Sequence, residues 1–272
     1  MRFRLALLPL FALTFAAGCA STPIRAAEKV AAEVLVSDEQ EQQLGLQVHQ
    51  ELQKEGMKLV TDSEVNSYVD QLARPILRAA NNERRGVKWK LYVVDDPKMV
   101  NAFATPGGNL YVYTGLILAS ENEAQLAGVL AHEAGHVTGR HAARNLVQQY
   151  GLQGVASLAL GKNPSQVKQL AATLVASGSM LAHSRSQEHE ADEYGARFSR
   201  GAGFDPNGLI GFFRILQRQE GGSTPKVLTW FSTHPATSDR ISHLQQYIAE
   251  NRLRGGATST LNRLAAVQQR LK

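Results

Sequence analysis

The sequence predicts an α+β fold, mainly helical, with one small three-stranded sheet set between helices. Three observations carry this expectation. Apolar residues recur at helical spacing through the first third of the chain, as in Val65, Tyr68, Val69, Leu72 and Ile76. The period then changes to alternation, with Trp89, Leu91 and Val93 set against Lys88, Lys90 and Tyr92. Beyond Ser120 the helical spacing returns and runs, with interruptions, to the last residues.

Residues 1–18 read as an export signal, with Arg2 and Arg4 ahead of an apolar stretch from Leu5 to Ala17 and small residues after it. That stretch falls short of the about 20 residues a membrane-crossing helix needs. The single cysteine, Cys19, comes directly after Ala16-Ala17-Gly18. This resembles a bacterial lipoprotein signal, in which the cysteine becomes the lipidated first residue. Lipidation would also remove a thiol that has no partner within the chain. Ala20, in place of Asp, resembles the sorting signal for the outer membrane of a Gram-negative cell. The expected location is the periplasmic face of that membrane, with residues 19–36 as an Ala-rich tether.

Helix signals begin at Ser37, an N-cap with Gln40 three residues on. A second helix is expected from Thr61, with Glu64 completing a capping box. The three strands come next: one around Trp89 to Val93, one at Asn101 to Ala104, one at Leu110 to Tyr113. Thr105-Pro106-Gly107-Gly108 supplies the turn between the last two. The next helix is expected from Ser120 to about Arg144. Residues 151–182 read as two helices around a Gly161–Ser165 turn, and another helix spans Ser186 to Arg200. Asp205-Pro206 opens a helix to about Gln219. Gly221 to Thr224 reads as a loop, Ser238 to Arg252 as a helix. A last amphipathic helix runs through Leu261, Leu264 and Leu271. Residues 37–254 form the expected main domain and 255–272 a linker and helix.

Composition is ordinary for a globular chain, 43% hydrophobic and 19% charged over 272 residues. Subtracting Arg2 and Arg4 from the formal charge of +5 leaves +3, with no clustered basic face, so nucleic acid is not an expected partner. The pair Arg84-Arg85 sits in a polar turn.

The chemistry centres on His132-Glu133-Ala134-Gly135-His136. Residues four apart on a helix lie roughly one turn up the same face, so both imidazoles can reach one zinc. Glu133 stands one step round, close enough to take a proton from the attacking water without binding the metal. A third ligand is needed. A histidine six residues after His136 would complete one familiar pattern, but that position is Ala142, and His141 comes one residue early. No Asp or Glu occurs between Val137 and Gln187, and the first acid reached is Glu188. Glu188 and Asp192 share a helical face. Glu188 is therefore the expected third ligand, and Asp192 the partner of a ligand imidazole. Ala191 and Gly195 are small enough to let the two helices approach. His189 and Glu190 are expected to face solvent.

These residues resemble the HtpX and CAAX prenyl endopeptidase family of zinc metallopeptidases, and within it the soluble periplasmic lipoprotein branch. The resemblance covers about residues 38 to 250. It rests on Asn101-Ala102-Phe103-Ala104, Pro106-Gly107-Gly108, His132 to His136, Ser184-Arg185 through Glu188 to Asp192, and Ser232-Thr233-His234-Pro235 with Arg240. It implies a gluzincin fold with the small sheet beside the motif helix, one zinc per chain, Glu188 as third ligand and Asp192 as its helix partner. Integral members carry transmembrane helices, and the apolar stretches here are too short for them. By the same resemblance, Asn101, Ala102, Phe103 and Ala104 form an edge strand that binds substrate as an added strand. His234 is expected near the zinc, as a displaceable fourth ligand or as a donor to the transition-state oxyanion. Its other reading is a loop histidine bonded to backbone. Arg240 is a candidate for holding that loop or pairing with a nearby acid. The expected activity is endopeptidase cleavage of unfolded or misassembled envelope proteins. A chaperone-like assembly factor on the same fold is the alternative, and hydrolysis of a non-peptide bond a third reading.

Overall fold

The computed structural model describes residues 36–177, 180, 182–220, 234 and 238–272. The export signal, Cys19, most of the tether and the segments 221–233 and 235–237 lie outside the described residues.

Helix α1 (Asp38–Lys54) starts with the expected capping box, in which Ser37 and Gln40 satisfy each other's backbone. Helix α2 (Ser63–Glu83) is capped by Asp62, not Thr61. The carboxylate of Asp62 accepts from the amides of both Glu64 and Val65, which a threonine hydroxyl does less well at a positive helix end. The apolar stripe from Val65 to Ile76 is buried as its spacing predicts.

Strands β1 (Lys90–Val94), β2 (Ala102–Thr105) and β3 (Asn109–Tyr113) form one sheet in the order β1-β3-β2. The β1–β3 pair is parallel, with Tyr92 opposite Tyr111, and the β2–β3 pair is antiparallel, with Phe103 opposite Tyr111. Gly107 and Gly108 turn the chain between β2 and β3 with φ of 80° and 102°, a region closed to most side chains.

The expected helix from Ser120 to Arg144 is two elements, with a short helix directly before them. A short helix, α3 (Thr114–Ala119), ends where the Ser120 hydroxyl bonds the Leu116 carbonyl, so Ser120 does not cap the next helix. Helix α4 (Glu123–Thr138) is capped instead by Asn122. It stops at Gly139, and Arg140 takes a left-handed φ of 55°. Helix α5 (His141–Ala159) then leaves in a new direction. Helices α6 (Pro164–Ser177) and α7 (Arg185–Gly201) lie close to expectation. Helix α8 (Gly208–Glu220) starts later than Asp205, whose carboxylate accepts from Asn207 within a preceding turn. Helices α9 (Ser238–Glu250) and α10 (Leu264–Arg270) complete the order.

Every residue of α4 is buried. It runs through the middle of the main core, whose members include Val69 and Leu72 of α2, Phe198 of α7, Phe212 and Phe213 of α8 and Leu244 of α9. Burial of each such side chain contributes about 1.5–3 kcal/mol. The C-terminal segment belongs to this core through Leu264 and Val267. It is also bound by Glu123, whose carboxylate accepts from the amides of Thr260, Leu261 and Arg263 at 2.7, 2.7 and 3.0 Å. A second core, between α1, α5, α6 and the aromatic face of the sheet, includes Leu44, Phe103, Tyr111 and Leu170. Among the described residues no helix is long and apolar enough to cross a membrane.

Candidate metal centre

Two helices build the centre, and glycine lets them meet. A Cβ on Gly135 of α4 would fall 2.8 Å from the Ala191 carbonyl oxygen of α7, and one on Gly195 would fall 3.3 Å from the His132 amide. Helix α7 opens with a Ser184–Gln187 capping box, which sets Glu188 in its first turn, where a carboxylate is favoured.

His132 and His136 turn their Nε2 atoms to one point, 2.9 Å apart. Glu188 Oε2 lies 3.6 Å from His132 Nε2, and Oε1 lies 3.5 Å from His136 Nε2. His234 brings Nδ1 to within 3.0 Å of Glu188 Oε1 and 3.4 Å of His132 Nε2. The four buried side chains offer ligand atoms within 4.8 Å of one another. Imidazole nitrogens and a carboxylate converging within this distance are the donor set zinc takes, so the residues present fit one zinc.

Around this point the charges are paired. Asp192 Oδ1 stands 2.9 Å from His132 Nδ1, which holds that ring with Nε2 inward. Arg240, 1% exposed, reaches both carboxylates: Nε and Nη2 to Asp192 at 2.8 and 2.6 Å, Nη1 to Glu188 at 2.8 Å. Burial alone would raise Glu188, but His234 and Arg240 outweigh it and hold the carboxyl well below the usual range. Asp192 is likewise raised by burial and lowered further by Arg240 and His132. Of the two roles expected for Arg240, its geometry matches pairing with acids at the site.

Glu133 is 2% exposed, with Oε1 3.5 Å from His234 Nε2. Burial pushes its carboxyl up to about 7, against the opposing charges of His234 and Arg240. That is close to the working range of a proton acceptor.

Strand β2 is at the sheet edge beside α4. The pairing of Asn101 O with the Tyr113 amide leaves the backbone of Ala102 and Ala104 facing away from β3. The Ala102 amide donates to the side chain of Asn101. Phe103, Ala104, Glu133, His136, His183 and His234 line a cavity of about 20 Å³, room for one water and far too little for a peptide.

Two residues depart from expectation, and a third joins the site without having been expected. Glu190 does not face solvent: its Oε2 lies 3.2 Å from His141 Nε2 and 3.0 Å from Arg144 Nη1. His189 is partly buried and stacks on His243 with ring centroids 4.1 Å apart. His183, which sequence reasoning passed over, stacks on His136 at 4.0 Å. No spacing rule reaches His183, because it lies on neither motif helix and its ring arrives from before α7.

The sequence profile of peptidase family M48 matches residues 61–248, which is most of the chain and includes every residue of this centre. The chain belongs to peptidase family M48. Among relatives of this M48 chain, the mitochondrial metalloendopeptidase OMA1 of Schizosaccharomyces pombe is 32% identical over 67% of the chain and 53% of its own length. The beta-barrel assembly-enhancing protease of Escherichia coli K12 is 31% identical over 68% of the chain and 39% of its own length. The metalloprotease YcaL of the same organism is 31% identical over 70% of the chain and 74% of its own length. The M48 chain thus spans between about two fifths and half of the first two proteins.

Proposed function

We propose that this M48 chain is a zinc-dependent endopeptidase of the bacterial cell envelope that cleaves unfolded or misassembled proteins. The observation that carries the reading is the convergence of His132, His136 and Glu188 with Glu133 alongside. Bound there, zinc would supply a Lewis acid that polarises the scissile carbonyl and acidifies the attacking water. Glu133 takes the proton from that water and passes it to the leaving amine. Its raised affinity for protons suits both halves of that transfer. Asp192 keeps His132 oriented, and Arg240 keeps Glu188 and Asp192 charged without a proton of their own. Substrate adds to the outward backbone of Ala102 and Ala104, which reads extension more than sequence and suits unfolded chains. The name of the Escherichia coli relative, a protease that enhances β-barrel assembly, supports an envelope role.

His234 reads best as a displaceable fourth donor. Its Nδ1 lies 3.0 Å from Glu188 Oε1 and its ring lines the cavity beside Glu133, so with zinc bound it would compete with water or substrate for the position a catalytic zinc keeps open. His234→Ala is expected to raise casein hydrolysis about tenfold at unchanged zinc content, the gain if about a tenth of the parent is open. A fall of about 100- to 1,000-fold instead would make His234 an oxyanion donor.

Casein hydrolysis with and without chelator, in the parent and in His234→Ala, tests the activity itself. Zinc-dependent cleavage supports the peptidase. No cleavage by either protein would favour an assembly factor that works through its surface.

The anchor is proposed at Cys19, on the periplasmic face of the outer membrane. Cys19→Ser is expected to move the protein from the membrane fraction to the soluble periplasm or leave it unprocessed, since stable anchoring takes more than one acyl chain. Mass spectrometry of the parent N-terminus finding a free thiol would refute it.

A further inference from the structure

His132 has Asp192 behind it; His136 has a different device, built at the break between α4 and α5. Gly139 closes α4, its amide bonded to the Gly135 carbonyl. Arg140 comes next with φ of 55°, pinned by its Nε to Glu41 at 2.6 Å. This turn sends the His141 ring back beneath α4. Only glycine at 139 permits it, because a Cβ there would lie 2.5 Å from His141 Nε2.

The returned ring makes two short contacts. His141 Nδ1 lies 2.8 Å from His136 Nδ1, and His141 Nε2 lies 3.2 Å from Glu190 Oε2. Arg144, buried in the first turn of α5, holds the same oxygen at 3.0 Å. One placement of protons satisfies this chain. His136 turns Nε2 to the metal centre, so its Nδ1 carries hydrogen and donates to His141 Nδ1. His141 then carries hydrogen on Nε2 and donates to the Glu190 carboxylate.

We propose that His141, held by Glu190 and Arg144, is the positioning residue for His136, as Asp192 is for His132. The proposal rests on zinc being held by His132, His136 and Glu188. Each ligand imidazole then has an arginine-clamped carboxylate behind it: one direct, from Arg240 and Asp192, and one relayed through a second imidazole. All of these supports come from outside α4. Loss of such an outer partner typically weakens metal binding about 10- to 100-fold.

The test is the zinc dissociation constant of the full chain, measured by chelator competition, alongside thermal unfolding of the zinc-free proteins. The parent is expected to bind one zinc. His141→Phe removes the acceptor and is expected to bind about 10- to 100-fold more weakly. His141→Asn, whose carbonyl oxygen can stand where Nδ1 stood, is expected to bind close to the parent. Glu190→Gln should weaken binding in the same direction, and adding it to His141→Phe should cost nothing further. Should His141→Phe fail to fold, Glu190→Gln and His141→Asn carry the test: unchanged binding in Glu190→Gln overturns the proposal. It is also overturned if His141→Phe binds like the parent, or if His141→Asn is as weak as His141→Phe at equal zinc-free stability. Parent protein that binds no zinc overturns the metal centre as a whole, and is distinguishable from these because it needs no variant.

Discussion

Glu133→Gln is expected to keep its fold and its zinc while losing about 100- to 10,000-fold in peptidase activity. The amide has nearly the shape of the carboxylate, and Glu133 is not among the four converging ligand side chains, so zinc has no reason to leave. The amide cannot accept the proton of the attacking water. The measurement is casein hydrolysis at matched zinc occupancy, best done in a His234→Ala background so that closure of the site does not mask the loss. Activity within tenfold of that background would mean that Glu133 is not the proton acceptor.

His132→Ala, His136→Ala and Glu188→Ala are each expected to weaken zinc binding by more than about 100-fold, beyond the range of a lost outer partner. Each removes one of three protein donors that converge on the same point. Glu188→Ala should be the most stable of the three when zinc-free. Arg240 keeps its two bonds to Asp192 in that variant, so the buried guanidinium is not left alone. Metal analysis of the purified proteins decides it, and full zinc content in Glu188→Ala would remove that residue from the ligand set.

The sequence carries the centre further than it carries the chain path. His132, Glu133 and His136 declare themselves by spacing alone, and Glu188 is next because no acid precedes it after the motif. The small sheet is legible from its alternation, and the capping box at Ser37 from its two polar residues. The end of the motif helix is not. His141-Ala142-Ala143-Arg144 continues helical spacing well, and nothing local in Arg140 requires a left-handed residue. What stops the helix there is distant: Glu41 of α1 holds the Arg140 side chain. The same break brings His141 and Glu190 together, so Glu190 reads as solvated only while the helix reads as unbroken. Gly139 is the one available signal. The false start at Ser120 has the opposite cause, a local one, since its hydroxyl is already spent on the Leu116 carbonyl.

The grip of Glu123 on residues 260–263 sets an order of events. That carboxylate is the first residue of α4, and its three backbone partners lie more than a hundred positions later in the chain. During synthesis both imidazoles of the centre are made well before residues 260–263, so the carboxylate at the start of the helix that carries them stays hydrated until those partners arrive. Contacts so far apart in sequence form late. The first turn of this helix therefore gains its long-range backbone partners only after residues 260–263 have been made.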